Sequence, residues 1–381
     1  VLTGPYIFGE EPAAASHTAA GTDTNRRPRN RLKILLDKEI AKDMNNRDKI
    51  LGCILGAAVG DAMGAVTETR SAERIKEDFG GFVEDMLTPP EDCFAHGNNA
   101  ASVTDDFSLA YFTAIELVKC KGKVTDEVAK KAVLSWAEYP QFFRFAGPTT
   151  EVAVKKLQGL NVPYKNAYIA ADNMKATNGS GMKIFAVGLI NPGNLDKAVE
   201  DAATVCMPTH PNNVAISAAA AVSAAVSKAV TEGATLEDVI EAGIYGAQKG
   251  FEVGSLRGHR LATPSIEKRI KLAVEIGRKG LGWEATMIEL RDIIGAGLMA
   301  VESIPCVFGI LAANPGDAFG AIKMGVNIGD DTDTVATMAG AVAGALYGVS
   351  NIPRKYIAMI DKVNNFDLEK LAGDIEREFY L

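Results

Sequence analysis

The sequence predicts an all-α protein, and three observations carry that prediction. From residue 47 onward, apolar residues recur at helical spacing in one segment after another. Short stretches rich in Gly, Pro and Asn, such as TPPED, NPGN, THPNN and NIP, punctuate them. Runs that alternate apolar and polar residues between hairpin turns are absent, and so is any repeat of roughly 20–50 residues.

Residues 1–30 are rich in Ala, Thr, Gly and Pro, end in the basic NRRPRNR and show no apolar periodicity. They read as a tail outside the folded body. RLKILLDKEIAKDM (31–44) has the spacing of one amphipathic helix. Residues 1–46 are therefore expected to form an N-terminal extension, and 47–381 a single compact domain. Its helices are expected over 47–65, 106–121, 125–138, 194–207, 213–231, 235–249, 265–278, 284–294, 315–326, 334–348 and 353–363.

Several of these segments carry a particular signature. The first, LGCILGAAVGDAMGA, places Gly52, Gly56, Gly60 and Gly64 four residues apart. Gly340, Gly344 and Gly348 repeat the device near the C-terminus. An interior Gly costs about 1 kcal/mol against Ala in a helix, so something must offset it. Four-residue spacing puts the glycines on one face, where two backbones can approach closely. Plain helix packing is one reading of this; because each run also lies beside acidic residues, the other is that both helices line one site. AISAAAAVSAAVSKAV (215–230) is the most apolar stretch. Its serines and Lys228 mark a buried helix rather than a membrane span.

Composition narrows the function. The chain has 381 residues, 47% hydrophobic and 23% charged, with a net charge of −8. That balance argues against a nucleic-acid backbone as main partner, because phosphate neutralisation needs surplus Lys and Arg. It leaves room for a small anionic ligand held locally. The five cysteines are odd in number and widely spaced, without C-x-x-C, so a reduced, cytoplasmic setting is expected and no disulfide framework.

Carboxylates gather in GDAMGAVTE (Asp61, Glu68), VTDDFSLA (Thr104, Asp105, Asp106) and GDDTDT (Asp330, Asp331, Asp333, with Thr334). In the last two, Thr and Asp stand directly before an apolar helix. Residues i and i+2 of a helix point about 200° apart, so Asp331 and Asp333 can converge only from a loop or a first turn. Helix N-termini also expose unpaired N–H groups and lower the cost of gathering carboxylates. One such motif alone is an N-cap; this many carboxylates together would need cations. Oxygen-only ligands indicate a hard cation, Mg²⁺ first and Mn²⁺ or Ca²⁺ next, and the absence of a His/Cys cluster argues against zinc. An EF-hand loop starting at Asp331 fails, because Val335 and Ala336 stand at its fifth and sixth positions.

With these segments the chain resembles the ADP-ribosylglycohydrolase family over roughly residues 48–355. GCILGAAVGDAMGAVTE, TDD at 104–106, FRFAGPTTEVAVKKL, NGSGMKIFAVGLI, THPNN and ESIPCVFGIL followed by NIGDDTDTVATMAGAVAGALYG occur in the family's order. The resemblance implies a compact multi-helix orthogonal bundle and a binuclear Mg²⁺ or Mn²⁺ centre. Its implied ligands are Thr104, Asp105, Asp106, Asp331, Asp333 and Thr334. Glu68, Asp105 and Asp331 are the implied candidates for proton transfer. Asn178, Gly179, Ser180, Gly181 and Met182 would form a loop holding ligand phosphates, with His210 near the phosphates or the distal ribose.

The implied reaction is hydrolysis at the anomeric carbon of ADP-ribose conjugates. A ribosidase acting on a smaller nucleoside-like N-glycoside is the alternative, and a non-catalytic relative of the fold is a third reading. The chain departs from the family pattern at Phe107 (commonly Thr), Lys183 (usually Arg) and Asp330 (usually Gly), which bears on the substrate rather than on the metal ligands.

Overall fold

The computed structural model describes residues 45–160, 162 and 172–381. The helix expected over 31–44, and nearly all of the extension, lie outside them. In chain order the helices are α1 (Asn46–Gly64), α2 (Ala72–Phe79), α3 (Asp105–Lys119), α4 (Asp126–Ala137), α5 (Pro140–Phe143), α6 (Pro148–Leu157), α7 (Phe185–Leu189), α8 (Leu195–Cys206) and α9 (Asn213–Ala229). They continue as α10 (Leu236–Arg257), α11 (Ile266–Gly277), α12 (Trp283–Ile293), α13 (Ala300–Ala313), α14 (Ala318–Asn327), α15 (Thr332–Tyr347), α16 (Lys355–Asn364) and α17 (Leu368–Phe379). Among the described residues there is no strand, only isolated bridges such as Ser71 with Gly329 and Thr177 with Met299. No helix among them is long and apolar enough to cross a membrane.

Two nearly wholly buried helices, α1 and α15, form the most extensive packing in the fold. Their glycines explain why. A Cβ on Gly56 would lie 2.1 Å from the Gly340 carbonyl oxygen, and one on Gly340 would lie 2.1 Å from that of Gly56. Gly52 and Gly344 face each other in the same way, at 2.3 and 2.0 Å. Carbonyl meets Cα here with no room for a side chain, so backbone contact offsets the poor helix propensity. At the end of this seam, a Cβ on Gly64 would fall 2.4 Å from the Cα of Asp333. The seam thus delivers one acidic segment directly onto another.

The alanine-rich α9 is buried along its length and packs on α10 through Gly246, Gly250 and Gly254. These contacts carry α10 on to Arg257, beyond the 249 expected from its apolar pattern. Helix α13 lies outside the expected set because Pro305 sits within it. Proline removes one helical hydrogen bond and breaks an isolated helix. Burial of nearly every residue from Ala300 to Ala312 against α11 and α15 overrides that here.

Behind the first acidic helix, Ser108 Oγ donates to the Thr104 carbonyl (2.6 Å) and accepts from Trp136 Nε1 (2.9 Å), both fully buried. Ser108→Ala would strand the indole N–H. It is expected to cost about 1–3 kcal/mol in urea unfolding, and a shift within error would show that the indole finds another partner.

Candidate active site

The N-terminus of α3 is held from across the fold. Asp61, fully buried on α1, accepts the backbone N–H groups of Thr104 (2.9 Å) and Phe107 (2.8 Å) and the Thr104 hydroxyl (2.9 Å). A carboxylate thus satisfies orphan N–H groups at the positive end of the helix. Because Thr104 spends its proton on Asp61, an oxygen lone pair remains free to bind a cation. At the other motif, Thr334 Oγ1 donates to Asp106 (3.0 Å), and Asp333 Oδ1 accepts the Thr334 N–H (2.9 Å). Asp331 stands immediately before α15 and Asp333 in its first turn, the one placement from which both can face the same point.

Glu68 is carried by a turn pinned on both sides. Thr67 Oγ1 bonds the Val326 carbonyl (2.6 Å) and lies 3.0 Å from Thr332 Oγ1, which donates to the Gly64 carbonyl (2.9 Å). The Thr69 N–H donates to the Asp330 carbonyl (2.7 Å), and the Asp330 N–H to that of Arg70 (2.9 Å). Asp330 has φ +66°, a conformation glycine adopts freely and Asp tolerates. Asp330 is exposed and lines the cavity described below, without joining the groups in which Asp331 and Asp333 converge.

Two groups of carboxylate oxygens converge within 4.8 Å: Asp61, Asp106 and Asp333; and Glu68, Asp331 and Asp333. Burial, then the neighbouring negative charges, pushes Asp105, Asp106 and Asp333 well above the usual carboxylate range. Burial holds Asp61 up at about 6. Burial, with Asp331 and Asp61 adding to it, raises Glu68 to about 8. The one Arg or Lys among the residues lining this cavity, Arg144, bonds instead to Asn98 and the His96 carbonyl. The donor set is entirely hard oxygen, and its charge calls for cations, so the residues fit Mg²⁺ or Mn²⁺.

The raised carboxylates give a signed pH dependence for the chelated protein. Its folded state keeps protons on Asp61 and Glu68 that the unfolded chain releases near 3.8 and 4.5. Stability is therefore highest at low pH in this window, and falls as pH rises through about 6 and about 8. Thermal melts in EDTA between these limits should show a declining Tm, and a saturating divalent cation should flatten the slope. A Tm that rises with pH in EDTA would contradict the cluster.

The carboxylates form one end of a cavity of about 700 Å³. Thr177, Asn178, Gly179, Met182 and His210 line another wall, and Phe94, Phe145 and Leu298 an apolar part. Of the residues expected at the site, Glu68, Asp105, Asp106, Asp331, Asp333, Thr334, Asn178, Gly179, Met182 and His210 line this cavity. Asp105 stands outside both converging groups, and Thr104, bonded to Asp61, is not among the residues lining the cavity.

Ser180 and Gly181 are buried away from the cavity lining, Gly181 against Met338 and Ile304. The amides of Asn178, Gly181 and Met182 are taken by Leu298 and by the turn itself, leaving that of the cavity-lining Gly179 as this loop's candidate for a phosphate. The Asn178 side chain instead donates to Asp331 Oδ2 (2.7 Å), joining the loop to the acidic cluster. Asp61 orients a ligand residue rather than lining the cavity. Its position in the glycine seam was the sequence signal for that role.

Comparison with known proteins agrees with this arrangement. The family model described as ADP-ribosylglycohydrolase matches residues 42–381. The uncharacterized protein YegU of Escherichia coli is 29% identical, over 85% of this chain and 95% of its own length. The ADP-ribosylhydrolase ARH3 of Bos taurus is 23% identical, over 86% and 92%. The ADP-ribosylarginine hydrolase Tri1 of Pseudomonas putida is 25% identical, over 86% and 78%. A solved chain described as an ADP-ribosylglycohydrolase-related protein complex aligns with TM-score 0.61 at 22% identity, covering 87% of this chain and 98% of its own.

Proposed function

The chain belongs to the ADP-ribosylglycohydrolase family, hydrolases of glycosyl bonds, and from that premise we propose that it releases ADP-ribose from a modified side chain or small conjugate by hydrolysis at the anomeric carbon of the distal ribose. The observation that carries this reading is the cavity itself. Convergent carboxylates with no Lys or Arg paired to them among the described residues occupy one end, and a polar wall with an apolar flank continues from them.

In this reading Thr104, Asp105, Asp106, Asp331, Asp333 and Thr334 hold two Mg²⁺ or Mn²⁺ ions. Such ions orient hydroxyl groups and lower the pKa of water. The chain's own residues supply the rest. Cleavage of a glycosidic bond builds positive charge at the anomeric carbon, which a carboxylate-rich end stabilises. Glu68, pinned at the edge of the cluster beside Asp331 and Asp333, is placed to exchange a proton with the departing group. Gly179 and His210 face the ligand's anionic part, and Phe94, Phe145 and Leu298 offer surface to an aromatic ring. A cavity of this size exceeds the needs of a nucleoside, which favours the conjugate over the smaller N-glycoside.

Purified protein should release ADP-ribose from at least one of ADP-ribosyl-arginine, ADP-ribosyl-serine or O-acetyl-ADP-ribose. Release should stop in EDTA and return with Mg²⁺ or Mn²⁺. Turnover of free ribonucleosides with no release from any conjugate would overturn this reading in favour of a ribosidase.

A further inference from the structure

Lys183 stands where the family resemblance places an arginine, directly after the cavity-lining Met182, yet it does not reach the cavity. It is 0% exposed. Among the described residues its ammonium has one hydrogen-bond partner, the Thr209 hydroxyl, at 2.6 Å. Thr209 Oγ1 lies 2.9 Å from His210 Nδ1, and His210 Nε2 lies 2.9 Å from Thr177 Oγ1. Thr177, Gly179 and His210 line the cavity, and a Cβ on Gly179 would sit 3.2 Å from His210 Nε2. A continuous chain of polar atoms therefore runs from a buried lysine to the cavity wall.

The chemistry of the groups gives this chain a direction. A lysine ammonium only donates, so Thr209 Oγ1 must accept from it. Thr209 then has one proton, and its other partner is His210 Nδ1. Burial, with the Lys183 charge adding to it, pushes the His210 imidazolium well below its usual range, so the ring is neutral and carries one N–H. If that N–H were on Nδ1, the two lone pairs of the Thr209 oxygen would be taken by Lys183 and His210, and the buried Thr209 proton would be left without an acceptor. The Thr177 proton would also be drawn to Nε2, presenting only lone pairs to the cavity. With the N–H on Nε2, the Thr209 proton goes to Nδ1 and the ring proton to the Thr177 oxygen, and the Thr177 proton is left for the ligand.

We propose that Lys183 is a positioning residue that fixes the proton order of this chain, so that His210 is the Nε2–H tautomer and Thr177 turns its hydroxyl proton toward an anionic oxygen of the ligand. The inference takes the ligand's anionic part, the pyrophosphate of an ADP-ribosyl group, from the functional reading above. Lys183 thus favours an anion without touching it, by deciding which way the cavity wall donates.

The test is two-bond ¹H–¹⁵N NMR of the full chain labelled at histidine, with the His210 ring assigned by its loss in His210→Gln. The expected spectrum of the free protein is the Nε2–H tautomer. Lys183→Met, close in size and unable to donate, should shift His210 toward Nδ1–H and weaken ADP-ribose and pyrophosphate binding by about tenfold. Thr177→Val should weaken the same binding to a similar extent.

An Nδ1–H ring in the unmodified protein, or an unchanged tautomer in Lys183→Met, would overturn the proposal. Should Lys183→Met fail to fold, the unmodified spectrum decides, and Thr209→Val, which breaks the middle link, must then change the tautomer. Because the tautomer is read without ligand, an Nε2–H ring that responds to these variants supports the chain even if ADP-ribose does not bind. That last result would count against the substrate instead.

Discussion

Asp333→Asn is expected to lower kcat/KM on an ADP-ribosyl conjugate by about 10²–10³-fold while raising the Tm of the chelated protein. Asp333 is the one carboxylate shared by both converging groups, so its loss weakens each. Asparagine keeps the shape, and its Oδ1 can still accept the Thr334 N–H, so the first turn of α15 should survive. What disappears is a buried negative charge among like charges. In the chelated protein that charge is a burden, since burial and the proximity of Glu68 and Asp106 already drive Asp333 toward its neutral form. With divalent cation present the same charge is an asset, and the variant should need a much higher Mg²⁺ concentration for any turnover. The two readouts thus move in opposite directions. Turnover close to the unmodified protein would remove Asp333 from the metal centre, and a fall in both readouts would show a merely structural residue.

Gly56→Ala should destabilise the fold by about 3 kcal/mol or more, although alanine is the better helix former by about 1 kcal/mol. The added methyl would lie 2.1 Å from the Gly340 carbonyl oxygen and 2.7 Å from its carbonyl carbon. Both are backbone atoms of a helix buried on all sides, so no rotamer change can make room. The helices α1 and α15 would have to part, and metal affinity should drop with stability, because Asp61 and Asp333 ride on those two backbones. Gly147 serves as control: a Cβ there meets nothing within 4 Å, so Gly147→Ala should stay within about 1 kcal/mol. Equal urea midpoints for Gly56→Ala and Gly147→Ala would refute the close backbone seam.

Much of the fold was legible because helical spacing and glycine punctuation are local signals. TDD, GDDTDT and Glu68 were legible too, since Thr and Asp before an apolar helix form a pattern the chain displays in sequence. The amphipathic helices α2 and α17 were missed although their pattern is local; other features that escaped depend on partners distant in sequence. Helix α13 contains a proline that only its neighbours can tolerate. The Asn178 side chain is aimed at Asp331 by the fold, not by the NGSGM segment in which it sits. Lys183, which stands where the family resemblance places an arginine, turns inward to Thr209. Asp330, which replaces a usual glycine, proves to occupy a left-handed conformation, so the substitution is explained by what aspartate tolerates.

The seam between α1 and α15 joins the first described helix of the chain to one near its end. During synthesis, α1 emerges early with Asp61, and its glycine face has no partner until α15 follows, long after α9 and α10 have had time to pair. Closing so large a loop is entropically unfavourable until the final contacts form. The acidic end of the cavity therefore cannot close until α15 has been made, and a chain truncated before Thr332 carries the TDD motif without Asp333 and Thr334.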